Sequence, residues 1–197
     1  IAVTYLTWLV FHTQVQRTLN IQKRELELVK KQLEMGNETV LTIARTVDAK
    51  DVNTSQHSAR VAEYSVLIGK ELGFDEQKCS ELKRAALLHD IGKIGIPDRI
   101  LNKPERLTDE EYKEMKSHVV KGGEILKSFT LIDNIEEGAL YHHERYDGKG
   151  YVHGLKGEEI PLNARIIGIA DAFDAMTANR VYRKKLDMDF VLGELKK

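Results

Sequence analysis

A helical period recurs from about residue 39 to the C-terminus, with no convincing strand alternation, and this constrains the fold more than any other feature. Residues 39–50 place Val40, Ile43, Ala44 and Val47 on one face, and residues 55–72 do the same with Val61, Ile68 and Leu72. His57 stands one turn before Val61 on that face. Asp75 is placed to cap a helix running to Asp90, and Gly92 to stop it. Thr108-Asp109-Glu110-Glu111 matches a capping box and opens a helix that reaches Leu126 and contains His118. A helix from about Asn134 ends in His142-His143, and Pro161 begins the one carrying Asp171. The pattern predicts an all-α helical bundle over residues 39–197.

The segment before it reads differently. Residues 1–11 are apolar apart from two threonines, too short a run to cross a bilayer, which needs about 20 residues. A buried core helix or a hydrophobic dimer contact would account for it. The C-terminal end of a transmembrane helix, residues 1–12, fits better, because Tyr5 and Trp8 suit an interfacial belt. Arg17, Lys23, Arg24, Lys30 and Lys31 then follow as a cytoplasmic flank would. Residues 13–41 carry a thin apolar seam of Val15, Leu19, Leu26, Val29, Leu33 and Val40, with Gln22 and Gly36 in the two missing places. That is coiled-coil spacing. A single amphipathic helix lying on the domain is the alternative to a parallel dimeric connector over residues 13–38. Gly36 predicts a break or hinge near residues 36–38.

Composition narrows the function classes. Net charge is −1, so no basic field points to a DNA or RNA polymer. Cys79 is the only cysteine, which excludes a disulfide framework and a cysteine-based zinc site. What stands out instead is a set of five among the seven histidines, His57, His89, His118, His142 and His143, with Asp90 and Asp171. Any one buried histidine is usually a hydrogen-bonded core residue. Together they suit divalent iron, manganese or zinc, and Asp90 beside His89 can bridge two ions. Asp171 and Asp174 share a face within an apolar run, where a metal or a basic partner would offset their burial. Two ions about 3.5–4 Å apart can form a bridging hydroxide and clamp a phosphate. Lys93 lies one turn after His89, placed to neutralise charge on phosphate oxygens unless it is simply a solvated loop lysine.

The stretches HSARVAEYS (57–65), LLHDIGKIGIPDRIL (87–101), HVVKGGEIL (118–126), HHERYDGKGY (142–151) and IPLNARIIGIADAFDAMTANRVYRK (160–184) resemble the HD-GYP domain, a branch of the HD metal-dependent phosphohydrolases. The resemblance implies an HD-type helical bundle that hydrolyses cyclic di-GMP to linear pGpG, in some members onward to GMP. By motif, His57, His89, Asp90 and Asp171 would hold one ion, and Asp90, His118, His142 and His143 the other. Iron or manganese is the expected metal, with zinc, nickel or magnesium as other candidates. Lys93 would contact the phosphate or act in catalysis with Asp90. Gly150, Tyr151, Arg180 and Arg183 fall where members bind the dinucleotide. Asp174 would support a ligand from behind, or pair with a nearby arginine.

Two departures qualify the match. Val152 stands where the motif has proline, which should loosen that loop. Asn53 stands where members with a third metal ion have glutamate, so two ions are expected. The chain also stops at Lys197, before the family's usual closing helices. The resulting expectation is a homodimeric phosphodiesterase attached to the bacterial inner membrane, its catalytic domain cytoplasmic, receiving a signal from an upstream sensor. The competing expectations are hydrolysis of a related dinucleotide such as 3′,3′-cGAMP, and a non-enzymatic cyclic-dinucleotide receptor or adaptor.

Overall fold

The computed structural model describes residues 2–51, 56–129, 132–178 and 187–195, and among these it holds helices and turns but no strand. The chain divides into two units, residues 1–39 and 40–197. The first is helix throughout its described length, part of α1 (Ala2–Lys50), and its apolar side chains, Val15, Leu19, Leu26, Val29 and Leu33 among them, are exposed. No break occurs at 36–38. Glycine costs about 1 kcal/mol in a helix, and the good helix formers around it (Leu33, Glu34, Met35, Glu38) carry the helix through. No described helix is long and apolar enough to cross a membrane.

The second unit is built around short helices whose ends point inward. The last three turns of α1 bury Val40, Ala44 and Val47. Ile43 stays exposed at 38%, so that face is narrower than its apolar spacing suggests. α2 (His57–Glu71) buries His57, Ser58, Val61, Ala62, Ser65 and Gly69, the expected three-and-four spacing. Leu72 falls beyond its end and is exposed, because Gly73 at φ +83° turns the chain away. α3 (Glu76–Leu87) is capped as read from the sequence, with Asp75 Oδ1 accepting from the Lys78 N–H at 2.8 Å.

α3 ends at Leu87, earlier than the sequence pattern indicates, and His89-Asp90 lie in the turn that follows. A tight 3₁₀ turn, Ile91–Gly95, comes next. Gly92 therefore does not stop the α-helix. Its role is clearance, since a Cβ there would stand 1.8 Å from the His118 carbonyl oxygen. α4 (Asp98–Leu101) leads to α5 (Asp109–Lys116), whose capping box is present: Thr108 Oγ1 accepts from Glu111 N–H and Glu111 Oε2 from Thr108 N–H. The expected single helix to Leu126 is instead two, with α6 (His118–Leu126) starting after Ser117. α7 (Ile135–Tyr141) and α8 (Leu162–Thr177) follow, Pro161 capping α8 just outside its first turn. α9 (Met188–Leu195) buries Val191.

One core joins α1, α2, α3, α7 and α8 through Val47, Val61, Leu82, Ala86, Ile135, Ala139, Ile166 and Ile167. Each fully buried Val, Leu or Ile contributes roughly 1.5–3 kcal/mol. A smaller core of Ile96, Ile100 and Leu101 holds the segment after the 3₁₀ turn.

Candidate metal centre

Every candidate ligand but Asp171 sits at or beside a helix end. His57 opens α2, His118 opens α6, His142-His143 follow α7, His89-Asp90 follow α3, and Asp171 projects from the middle of α8. Short helices meeting at their ends bring together residues far apart in sequence, and His57, His89, Asp90, His118 and His142 are all buried.

The Asp90 carboxylate lies at the centre. Its Oδ1 faces His118 Nε2 at 3.4 Å and His142 Nε2 at 3.9 Å. Its Oδ2 faces His89 Nε2 at 3.4 Å and His57 Nε2 at 4.0 Å. Two ligand sets result: donor atoms of Asp90, His118, His142 and His143 lie within 4.8 Å of one another, as do those of His57, His89 and Asp90. Asp171 joins the second side through His57, its Oδ1 being 3.2 Å from Nε2.

The imidazoles are oriented from behind. His89 Nδ1 lies 2.7 Å from the Ala86 carbonyl, His118 Nδ1 2.8 Å from Met115, and His142 Nδ1 2.9 Å from Gly138. A carbonyl only accepts, so each Nδ1 carries a proton, and in the neutral form that binds a metal the lone pair of Nε2 points into the cluster. The Nε2 atoms of His89, His118 and His142, and Asp90 Oδ1, are buried with no hydrogen-bond partner. Four such atoms in one place would be costly. A divalent cation satisfies imidazole nitrogen and carboxylate together, so the residues present fit a metal.

Charge is arranged to match. Burial holds His118 and His142 below the usual histidine range, and takes His143 down to about 4, so these rings are neutral, as ligands must be. Burial also disfavours a charged His57, but hydrogen bonds to Asp171 and Asp174 outweigh it and raise this ring to about 9. Burial likewise disfavours a charged His89, but Asp90 outweighs it and raises this ring too, so a metal on that side would take the place of protons. Burial pushes the Asp90 carboxyl up, yet Lys93 and His89 hold it well below the ordinary value.

Asp174 fills both of the roles considered for it. Its Oδ2 lies 2.7 Å from His57 Nδ1, while its Oδ1 accepts from Arg60 Nε at 2.6 Å. Lys93 is not a solvated loop residue: its ammonium lies 2.8 Å from Asp90 Oδ2 and 3.0 Å from Asp51 Oδ2. Lys50 supports the turn that carries it, donating to the carbonyls of Lys93, Ile94 and Ile96 at 3.2, 2.9 and 2.6 Å. Asp48 accepts from Ser58 Oγ at 2.6 Å, tying the end of α1 to the start of α2.

Tyr151 packs at a tilt against the cluster's edge, its ring 4.8 Å from that of His143. Gly150 has no room for a side chain, since a Cβ would stand 2.5 Å from the His143 carbonyl oxygen, and it serves the loop's path. The loosening expected from Val152 is opposed by Glu144, a buried carboxylate that accepts from the N–H groups of His153, Gly154 and Leu155 at 2.7, 3.1 and 3.1 Å. Arg180, Arg183 and Asn53 lie outside the described residues.

Sequence reasoning missed Asp51, Arg60 and Glu144. Arg60 sits at helical spacing from His57, and Glu144 directly follows the histidine pair, so both carried a local signal. Asp51 carried none, because Lys93, which it meets, is 42 residues away.

The HD domain family model matches residues 41–197. The chain is 42% identical over 183 residues to the cyclic di-GMP phosphodiesterase response regulator RpfG of Xanthomonas campestris pv. campestris, covering 91% of this chain and 48% of that protein. It is 41% identical over 154 residues to 3′3′-cGAMP-specific phosphodiesterase 3 of Vibrio cholerae serotype O1, covering 78% of this chain and 34% of that one. The chain thus spans about half or less of the length of these relatives. Among solved structures, a cyclic GMP-AMP-specific phosphodiesterase of V. cholerae (V-cGAP3) shares the fold, with TM-score 0.60 and 18% identity over 80% of this chain and 43% of that chain. The chain belongs to the HD domain family, in the HD-GYP branch whose motifs it carries.

Proposed function

We propose that residues 39–197 form the catalytic unit of a cyclic di-GMP phosphodiesterase that opens the ring to linear pGpG and can continue to GMP. The observation that carries this reading is the Asp90 carboxylate, one oxygen toward His118 and His142 and the other toward His57 and His89. Such sharing supports two divalent ions, with Asp171 and His143 completing the two sets. Iron or manganese fits this donor set, which also accepts zinc, nickel or magnesium. Divalent ions held there activate water and offset charge on the phosphoryl oxygens.

The chain's own groups account for the rest. Hydrolysis forms a bond from water oxygen to phosphorus and breaks the bond from phosphorus to the 3′-oxygen, which leaves with a proton, so the 5′-phosphate stays on the product. Burial disfavours the Lys93 ammonium, but Asp90 and Asp51 outweigh it and keep it protonated. It acts as fixed positive charge beside the phosphate and not as a base. Asp174 and the backbone carbonyls hold the imidazoles in one tautomer. Tyr151 and Gly150 shape the pocket edge, and Arg180 and Arg183 supply guanidinium groups for phosphate.

The similarity to a 3′3′-cGAMP-specific enzyme favours a second reading, in which the preferred substrate is 3′,3′-cGAMP. The exposed apolar run from Val3 to Phe11 supports membrane attachment, and the exposed seam from Val15 to Leu33 supports pairing with a second copy. On that reading the catalytic unit lies on the cytoplasmic side of the inner membrane and answers an upstream sensor.

The test is turnover by purified protein supplied with manganese or ferrous iron, comparing cyclic di-GMP with 3′,3′-cGAMP. Conversion of cyclic di-GMP to pGpG, abolished by His89→Ala and Asp90→Ala, is expected. Tight binding without turnover by metal-loaded protein would make it a receptor instead.

A further inference from the structure

Lys116, the last residue of α5, stands two positions before the candidate ligand His118. It is half-buried, and no ion pair to it occurs among the described residues. Of the α5 carboxylates, Glu111 is engaged by Lys103 at 2.6 Å. The Lys116 ammonium lies instead between aromatic faces, 4.9 Å from the Tyr112 ring centroid and 5.6 Å from that of Tyr151. Tyr151 in turn packs against His143, the ring centroids 4.8 Å apart and the rings tilted by 30°. A chain of direct contacts therefore leads outward from the metal cluster through a ring to a cation and a second ring.

Ring faces attract an ammonium but are weaker partners than an anion offering charge-assisted hydrogen bonds. A cyclic dinucleotide brings two phosphodiesters and two flat bases, and only one phosphodiester reacts in a given turnover. Aromatic faces beside a cation suit both features, since bases stack on rings whatever their identity.

We infer that Lys116, flanked by Tyr112 and Tyr151, forms a second phosphate subsite that holds the non-reacting phosphodiester of a cyclic dinucleotide. The inference rests on the phosphodiesterase reading above. Lys116 acts by binding substrate and takes no part in the bond-breaking step. The subsite also separates cyclic dinucleotides from simple diesters, which have nothing to place there.

The test compares wild type, Lys116→Met and Lys116→Arg on cyclic di-GMP and on bis(p-nitrophenyl) phosphate, a diester with one phosphate, with bound metal measured in each. For Lys116→Met, KM for cyclic di-GMP should rise about tenfold with kcat little changed, as loss of one charge-assisted contact implies. The ratio of kcat/KM between the two substrates should shift by the same factor, metal content should hold, and Lys116→Arg should recover most of the loss. An unchanged KM for cyclic di-GMP, or equal losses on both substrates, would overturn the subsite. Wild-type protein that cleaves bis(p-nitrophenyl) phosphate but no cyclic dinucleotide would overturn the phosphodiesterase reading itself, and the subsite with it.

Discussion

Gly92 is where the backbone of the site is most tightly built, so adding one methyl there is a severe perturbation. In Gly92→Ala the new Cβ would stand 1.8 Å from the His118 carbonyl oxygen and 2.5 Å from the Gly122 nitrogen. Both are main-chain atoms, so no rotamer change relieves the overlap. α6 or the 3₁₀ turn has to move by more than an ångström, and each carries part of the cluster: His118 opens α6 and Asp90 precedes the turn, 3.4 Å apart at Nε2 and Oδ1. Overpacking of this kind costs about 3 kcal/mol, which lowers the melting temperature of a domain this size by roughly 6–12 °C. Metal affinity should fall with it, because the cluster opens. Gly36→Ala is the control: nothing lies within 4 Å of that position, and the exchange should stabilise the helix by about 1 kcal/mol. Calorimetry and metal analysis on both variants check this. Gly92→Ala with wild-type melting temperature and full metal content would refute the packing argument.

Other consequences are as direct. Asp174→Asn removes the charge that faces His57 Nδ1 and Arg60, and metal affinity measured by titration should fall about 10- to 100-fold. Glu144→Gln weakens the acceptor that gathers three N–H groups. Amide exchange at 153–155 should accelerate and KM should rise, while bound metal stays at the wild-type level. Chelation should lower the melting temperature, by roughly 11–22 °C when two ions are lost from sites each held at about a hundred times its dissociation constant, and metal should restore it.

The legible parts of this fold were those with local causes. Thr108 with Glu111, and Asp75 with Lys78, are caps whose partners lie three residues away, and both formed as read. The periodic apolar faces located most helices, and the histidine spacing located the cluster. Helix ends were less legible. α3 stops at Leu87 because the chain must tighten into a 3₁₀ turn against α6, a tertiary demand invisible in residues 75–90. The same demand splits the helix at Ser117. Gly36 misled in the opposite direction, since a propensity cost of about 1 kcal/mol is small beside a long run of good helix formers. Asp51 was invisible because it meets Lys93 across the fold.

Metal stoichiometry tests the central claim, that Asp90 joins two ligand sets. Elemental analysis of the purified, metal-loaded protein should give close to two ions per chain, about one in His118→Ala, and essentially none in Asp90→Ala with the fold intact by circular dichroism. One ion per chain in the wild type, or an Asp90→Ala protein that keeps a full complement, would contradict it.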